Sequence, residues 1–181
     1  MLPSVCVVIP TFNSVAFLEE ALASVFSQTH KPQEIIVVDD GSTDDTKAFI
    51  EPYLDRVRYI SQANAGPASA RNRAILATRC DWIAFLDADD CWHPEKLRHQ
   101  MEYAACYPNL SQIGACSTNS PSENNEAFSM FQPADFIGPL PFGISSVVAR
   151  RDKLIEVAMF NATHMAFLIP SITVTTPATL R

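Results

Sequence analysis

The sequence predicts an α/β protein with a Rossmann-like, mostly parallel central sheet flanked by helices. Three observations predict it. Val5-Cys6-Val7-Val8-Ile9, Glu34-Ile35-Ile36-Val37-Val38 and Trp82-Ile83-Ala84-Phe85-Leu86 are short apolar runs of the kind buried on both faces of a parallel sheet. Stretches with helical spacing separate them, and strands alternating with helices imply right-handed parallel crossovers. Each run also ends in a polar turn, and open α/β sheets hold their ligands at the carboxyl ends of their strands.

The first strand covers residues 5–9. A helix follows from about Ser14 to Gln28, with Val15, Leu18, Leu22, Val25 and Phe26 on one face and Glu19 and Glu20 on another. Asn13 or Ser14 supplies its cap. Strand 34–38 leads into a helix opened by Ser42, with Asp45 three residues on in a capping-box arrangement, and Pro52 marks its end. Residues 57–60 form a short strand. Gly66-Pro67 opens a helix to about Thr78, since proline suits a first helical turn. After strand 82–86, His93-Pro94-Glu95 opens a helix to about Tyr107. From about residue 116 the alternation stops. Residues 117–125 read as a Ser-, Asn- and Pro-rich loop, 126–143 show little periodicity, 143–149 read as a strand and 151–160 as a short helix. Residue 117 is at most a subdomain border.

A chain of 181 residues with 48% hydrophobic and 18% charged residues suits one globular domain with a sizeable core. The formal net charge of −7 argues against nucleic acid as a partner, because phosphate contacts need a basic face. Five cysteines (Cys6, Cys80, Cys91, Cys106, Cys116) lie scattered without a C-x-x-C pair, so neither a zinc site nor a disulfide framework is signalled, and reduced thiols in a cytosolic protein are expected. The amino terminus begins at once with a strand and reads as no signal peptide, and the late apolar run Met165–Ile169 is too short to span a bilayer.

The chemistry concentrates in the turns. Asp87-Ala88-Asp89-Asp90 directly follows a buried strand. Clustered carboxylates repel unless a cation offsets them, and hard oxygen ligands at D-x-D spacing suit Mg²⁺ or Mn²⁺ rather than zinc. Alone, such a turn reads equally well as an acidic helix cap. A second acidic turn, Asp39-Asp40-Gly41-Ser42, repeats the arrangement, and Pro10-Thr11-Phe12-Asn13 forms a third polar turn. Three such strand ends imply one shared crevice. Other signatures are missing: G-x-G-x-x-G, G-x-x-x-x-G-K-[ST] and G-x-S-x-G do not occur, which speaks against a Rossmann dehydrogenase, a P-loop ATPase and an α/β-hydrolase. His30, His93, His99 and His164 lack metal spacing and read as surface or capping residues. Arg71 and Arg73 read either as a solvated helix face with a salt bridge or as a guanidinium reaching a phosphate.

Taken together, Val7-Val8-Ile9-Pro10-Thr11-Phe12-Asn13, Val37-Val38-Asp39-Asp40-Gly41-Ser42-Thr43-Asp44, Asn64-Ala65-Gly66-Pro67-Ala68-Ser69-Ala70-Arg71-Asn72 and Phe85-Leu86-Asp87-Ala88-Asp89-Asp90 resemble the family 2 glycosyltransferases in order and spacing. The resemblance is strong over residues 4–110 and extends faintly through Ser145–Arg151. It implies the GT-A fold and a nucleoside diphosphate sugar as donor, with a UDP-sugar the first choice. It places Pro10, Thr11 and Asn13 near the base and ribose, Asp40 as acceptor of the base's ring N–H with Asp39 in support, and Arg71 near the nucleotide. Asp87 would face the ribose or the metal, and Asp89 would ligate the Mn²⁺ or Mg²⁺ that bridges the phosphates, so Asp87 and Asp89 form the expected metal pair.

One departure matters as much. The family inverts at the anomeric carbon by direct displacement and takes the acceptor's proton with an Asp from a Glu-Asp pair after a Gly-Gly-Phe turn. Here Val157-Ala158-Met159-Phe160-Asn161 stands in place of that turn, no Glu-Asp pair follows, and Glu156 is the last acidic residue. A truncated or altered carboxyl terminus is therefore expected, and no catalytic base is named. The expectation is a donor-binding GT-A part over 1–116 and an incomplete acceptor-side segment over 117–181. The activity expected is metal-dependent, inverting sugar transfer to a glycan or lipid-linked hydroxyl acceptor in cell wall or polysaccharide biosynthesis. The rival is a nucleotide-sugar binding remnant without a base; a nucleotidyltransferase is a third reading, weakened by the lack of a Gly-rich phosphate loop. A cytoplasmic location reaching the inner membrane face, peripheral membrane contact and self-association through an uncovered acceptor side complete the expectations.

Overall fold

In a computed structural model of the chain, residues 2–107, 109–110, 112–117, 128–131 and 143–156 are described. Seven strands form one sheet: β1 (Val5–Thr11), β2 (Glu34–Asp39), β3 (Arg58–Ser61), β4 (Trp82–Phe85), β5 (Gln112–Ser117), β6 (Phe128–Phe131) and β7 (Val147–Arg150). Their spatial order is β3-β2-β1-β4-β7-β5-β6. β3, β2, β1 and β4 are mutually parallel, and β7, β5 and β6 extend the sheet with antiparallel pairs. The parallel order turns back between β1 and β4, where a doubly wound sheet opens its ligand crevice.

The buried strands alternate their side chains between two cores. Val5, Val7 and Ile9 of β1 face helices α1 (Val15–Phe26) and α4 (Lys96–Cys106), packing on Leu18, Leu22, Val25, Leu97 and Met101. Cys6 and Val8, with Ile36 and Val38 of β2, face helix α3 (Pro67–Ala77) through Ala70, Ala74 and Ile75. Alanines on α3 let that helix sit close to the sheet. Period-2 burial on both faces is why these strands read as continuous apolar runs. Two short helices, α2 (Thr46–Ile50) and α5 (Arg151–Glu156), complete the described α-helices.

Several expected boundaries move, each for a local reason. The helix expected from Ser42 starts at Thr46, because the Asp44 carboxylate, not Ser42, accepts the Thr46 N–H (3.1 Å) and hydroxyl (2.6 Å). Ser14 is the N-cap of α1, as expected, but its side chain makes no capping bond; instead Asp44 Oδ2 accepts the Val15 N–H at 3.1 Å. The helix expected from His93 begins at Lys96. The strand expected over 143–149 divides into a 3-10 turn, Ile144–Ser146, and β7. β5 and β6 were not foreseen; Gln112-Ile113-Gly114-Ala115-Cys116-Ser117 is short, small-residue and glycine-containing, a weak strand signal. The 117 border does not separate two sheets, because β7 lies between β4 and β5. The loop over 118–127, the altered segment 157–161 and the Thr-rich tail lie outside the described residues.

Ile36 is fully buried in the parallel half of the sheet. Ile36→Ala is expected to destabilise the fold by about 2–5 kcal/mol and Ile36→Val by about 0.5–1.5 kcal/mol, read from urea unfolding midpoints.

Candidate functional site

Parallel registry brings the strand ends together. Thr11 lies opposite Asp39, Asp39 opposite Ser61, and Val8 opposite Phe85. Pro10, Thr11, Asn13, Asp39, Asp40 and Asp87 therefore line one carboxyl edge of β1, β2 and β4, with Arg71 rising from α3.

Most carboxylates at this edge hold backbone. Asp39 Oδ1 accepts the Ser42 N–H (2.8 Å) and Oδ2 accepts the Tyr59 hydroxyl (2.5 Å). Burial, and then this bond to Asp39, pushes the Tyr59 phenol up to about 12. Asp40, 3% exposed, clamps the 62–66 loop. Its Oδ1 accepts from Gln62 Nε2 (2.7 Å) and Ala65 N (2.9 Å), and its Oδ2 from Gly66 N (2.7 Å). One lone pair on Oδ2 remains for a further donor. Gly41 (φ +81°) makes the close passage of the two loops feasible: a Cβ there would stand 2.9 Å from Asn64 N.

Asn13 sits in the left-handed region at φ 49° and stitches the first turn to the second. Its N–H donates to Ser42 Oγ (2.9 Å) and its Oδ1 accepts from Thr43 N (2.8 Å). The same turn leaves Phe12 47% exposed at the lip of the edge. An aromatic residue inside a polar turn is a signal visible in the sequence itself. Thr11 Oγ1 is buried without a hydrogen-bond partner among the described residues.

Arg71 is buried, not on a solvated face, while Arg73 is exposed. Arg71 Nη2 meets Asp87 Oδ1 at 2.5 Å, tying α3 to the end of β4. Asp89 and Asp90 are exposed beyond it, and the Asp89 carboxylate accepts no hydrogen bond among the described residues. The Asp87 amide donates to Ser145 Oγ at 2.9 Å, a contact with no local sequence signal because 58 positions separate the partners.

Among the described residues no three His, Cys, Asp or Glu side chains gather into a complete metal cage. Mg²⁺ and Mn²⁺ use one or two carboxylates and complete their shell with water and substrate phosphates. Asp87 Oδ2 and the unpartnered Asp89 carboxylate fit a site of that kind. Behind the acidic turn, Lys96 is buried on the Trp92 ring (3.9 Å to the centroid), and burial pushes its ammonium well below the usual lysine range.

The sequence profile of Glycosyl transferase family 2 matches residues 6–164. A glycosyltransferase of Rickettsia felis is 43% identical over 101 residues, covering 55% of this chain and 17% of its own length. The putative teichuronic acid biosynthesis glycosyltransferase TuaG of Bacillus subtilis is 37% identical over 105 residues, covering 56% of this chain and 42% of its own. The chain thus spans less than half the length of these curated relatives. Among solved structures, the mannosyltransferase PcManGT of Pyrobaculum calidifontis, in complex with GDP-Man and Mn²⁺, matches with TM-score 0.68 and 21% identity over 89% of this chain and 48% of its own. Residues 1–349 of S. aureus TarS, in complex with UDP-GlcNAc, match with TM-score 0.63 and 22% identity over 87% of this chain and 48% of theirs. These likenesses show the GT-A fold.

Two outcomes are expected of the carboxylate clamps. Asp40→Asn keeps size and shape but turns an NH₂ toward the Gly66 N–H or the Gln62 amide; it is expected to lower stability by about 1–3 kcal/mol in urea unfolding. Asp44 is held below the usual carboxylate range by the Thr46 hydroxyl, against slight desolvation, with help from the Val15 and Thr46 N–H groups. A lowered folded-state value stabilises above the unfolded value of about 3.8 and is lost as pH falls through the folded one. Asp44→Asn is therefore expected to flatten the acid limb of the stability–pH curve measured from pH 7 to pH 2.

Proposed function

We propose that this chain, which belongs to glycosyl transferase family 2, holds a nucleoside diphosphate sugar across the carboxyl ends of β1, β2 and β4 and moves the sugar to a hydroxyl acceptor. The observation that carries the reading is Asp89: an exposed carboxylate, unpartnered among the described residues, two residues from Asp87, at the switch point of the sheet. In this reading Pro10, Thr11 and Asn13 bound the base and ribose, and the exposed Phe12 ring offers a stacking face. Asp39 and Asp40 fix the 42 and 62–66 turns, and the free lone pair of Asp40 accepts a ring N–H. Arg71 holds Asp87 and supplies positive charge beside the diphosphate. Asp87 and Asp89 would hold Mn²⁺ or Mg²⁺, which when bound offsets charge on the leaving diphosphate.

A second reading, donor binding without efficient transfer, is favoured by a specific observation. Inverting transfer needs a base near the acceptor. Asp152 and Glu156 are on α5, which follows β7 at the end paired with Trp82, the amino end of β4. They sit at the edge of the sheet away from Asp87, and they pair with Arg150 and Lys153. Glu123, Glu126 and Asp135 lie outside the described residues. The acceptor, polysaccharide assembly as in the relative's name, residues 117–181 as the acceptor side, and a location reaching the inner membrane face belong to the same proposal. Among the described residues no helix is long and apolar enough to cross a membrane.

The test is calorimetry of UDP and GDP with Mn²⁺ and with EDTA, followed by nucleotide release from UDP- and GDP-sugars with and without sugar acceptors. Metal-dependent nucleotide binding is expected, abolished as a metal effect by Asp89→Ala; equal affinity in Mn²⁺ and EDTA would overturn the bridging cation. Without a base, turnover should fall about 10²–10⁴-fold below that of a complete enzyme. Fast acceptor-dependent turnover would instead place a base outside the described residues and remove the second reading.

A further inference from the structure

The segment that carries Asp87 and Asp89 has no regular structure of its own. It leaves β4 at Phe85 and becomes helical only at Lys96. Its acidic turn closes on itself, Asp90 N donating to Asp87 O at 3.1 Å. The outer limb is anchored to the residues just past α1: Gln28 Nε2 donates to His93 O (2.7 Å), Gln28 Oε1 accepts from Leu97 N (3.0 Å), and Thr29 N donates to Pro94 O (2.9 Å). The inner limb converges on one residue. Ser145 Oγ accepts the Asp87 N–H at 2.9 Å, and Ser145 O accepts the Trp92 indole N–H at 2.7 Å.

Those two bonds grip the acidic turn at both of its flanks. The gripping residue is itself fixed. Ser145 is buried in the Ile144–Ser146 turn, directly before β7. The next carbonyl, Ser146 O, accepts from Gln100 Nε2 at 2.9 Å. Gln100 Oε1 accepts from Lys96 Nζ at 2.8 Å, and Lys96 lies on the Trp92 ring. Ser145, Trp92, Lys96, Gln100 and Ser146 thus close a ring of buried contacts under the turn. None of these bonds engages the carboxylate of Asp87 or Asp89. The ring fixes backbone and leaves the charges to others.

We propose that Ser145 is a positioning residue for the acidic turn: its hydroxyl and carbonyl together set the spacing and direction in which Asp87 and Asp89 meet a divalent cation bound with a diphosphate. This rests on the nucleotide-sugar reading above and extends it past residue 117, because a residue on the far side of that border then belongs to the donor site. The physical basis is that hard cations of the Mg²⁺ class demand near-ideal ligand geometry. Outer partners that hold ligands in place typically change metal affinity by about 10–100-fold when removed.

The experiment compares wild type, Ser145→Ala, Ser145→Thr and Trp92→Phe by two readouts. The first is the Mn²⁺ concentration needed for half-maximal UDP binding, followed by calorimetry and by the Mn²⁺ electron paramagnetic resonance signal. The second is amide hydrogen exchange of residues 86–92 without any ligand. Ser145→Ala is expected to raise the Mn²⁺ requirement about tenfold, to leave UDP affinity in EDTA unchanged, and to quicken exchange in 86–92. Ser145→Thr, which keeps the hydroxyl, restores both. Trp92→Phe, which removes the indole N–H together with part of the ring under Lys96, shifts both in the same direction and carries the test if Ser145→Ala does not fold. An unchanged Mn²⁺ requirement with a lowered melting temperature overturns the proposal and makes Ser145 a fold element only. If wild type binds no nucleotide with Mn²⁺, the parent reading fails; the exchange data then decide alone, and unaltered exchange in Ser145→Ala overturns the grip itself.

Discussion

Charge compensation at the carboxyl ends of the parallel strands is the constraint on which the rest of the structure depends. Asp39, Asp40 and Asp87 are brought to one edge by the register of β1, β2 and β4. Left alone they would repel, and burial would add a desolvation penalty. Each is therefore met by donors: Ser42 and Tyr59 on Asp39, the 62–66 loop on Asp40, Arg71 on Asp87. The same bonds define the loops. The turn after β2, the entry to α3 and the seat of α3 on β4 all follow from where these carboxylates find partners. Asp89 stands outside that compensation: among the described residues its exposed carboxylate accepts no hydrogen bond.

This division of labour explains how a site rich in acids remains stable without a ligand. A hydrogen bond to a charged group contributes about 1.5–3 kcal/mol, and an uncompensated buried charge costs more than that. Preorganisation follows: donors that hold the turns before a ligand arrives need not be reordered when it binds. The left-handed Asn13 and Gly41 belong to the same economy of space, since both allow the first, second and third turns to touch without intervening side-chain bulk.

Much of the fold was legible in the sequence because two-sided burial writes a strong pattern. Val5–Ile9, Ile35–Val38 and Trp82–Leu86 had to be apolar throughout, and Leu18, Leu22 and Val25 had to recur on one helical face. The positions of the site residues at three strand ends were legible for the same reason, since alternation of strand and helix places every parallel strand's end on one edge. What was not legible depends on contacts between distant parts of the chain. Ser42 has the residue type of a helix cap, yet Asp44 won the competition because it reaches both Thr46 and Val15. Arg71 reads from its helix alone either as a solvated face or as a phosphate contact, and its burial is accompanied by an ion pair with Asp87 that no local pattern announces. β5 carries a glycine and small residues and owes its strand form to β7 and β6 rather than to its own propensity.

The direction of β7 ties these strands of reasoning together. It runs antiparallel to β4, with Ala84 opposite Val148 and Trp82 opposite Arg150. The residues before it therefore arrive at the carboxyl end of β4, and the residues after it leave at the amino end. Ser145 is delivered to the acidic turn by that direction, and α5, with Asp152 and Glu156, is carried away from it. A parallel strand in the same slot would have reversed both placements. One strand orientation thus gives the edge that carries Asp87 a support drawn from the second half of the chain, and it sets the acids of α5 at the opposite end of β4.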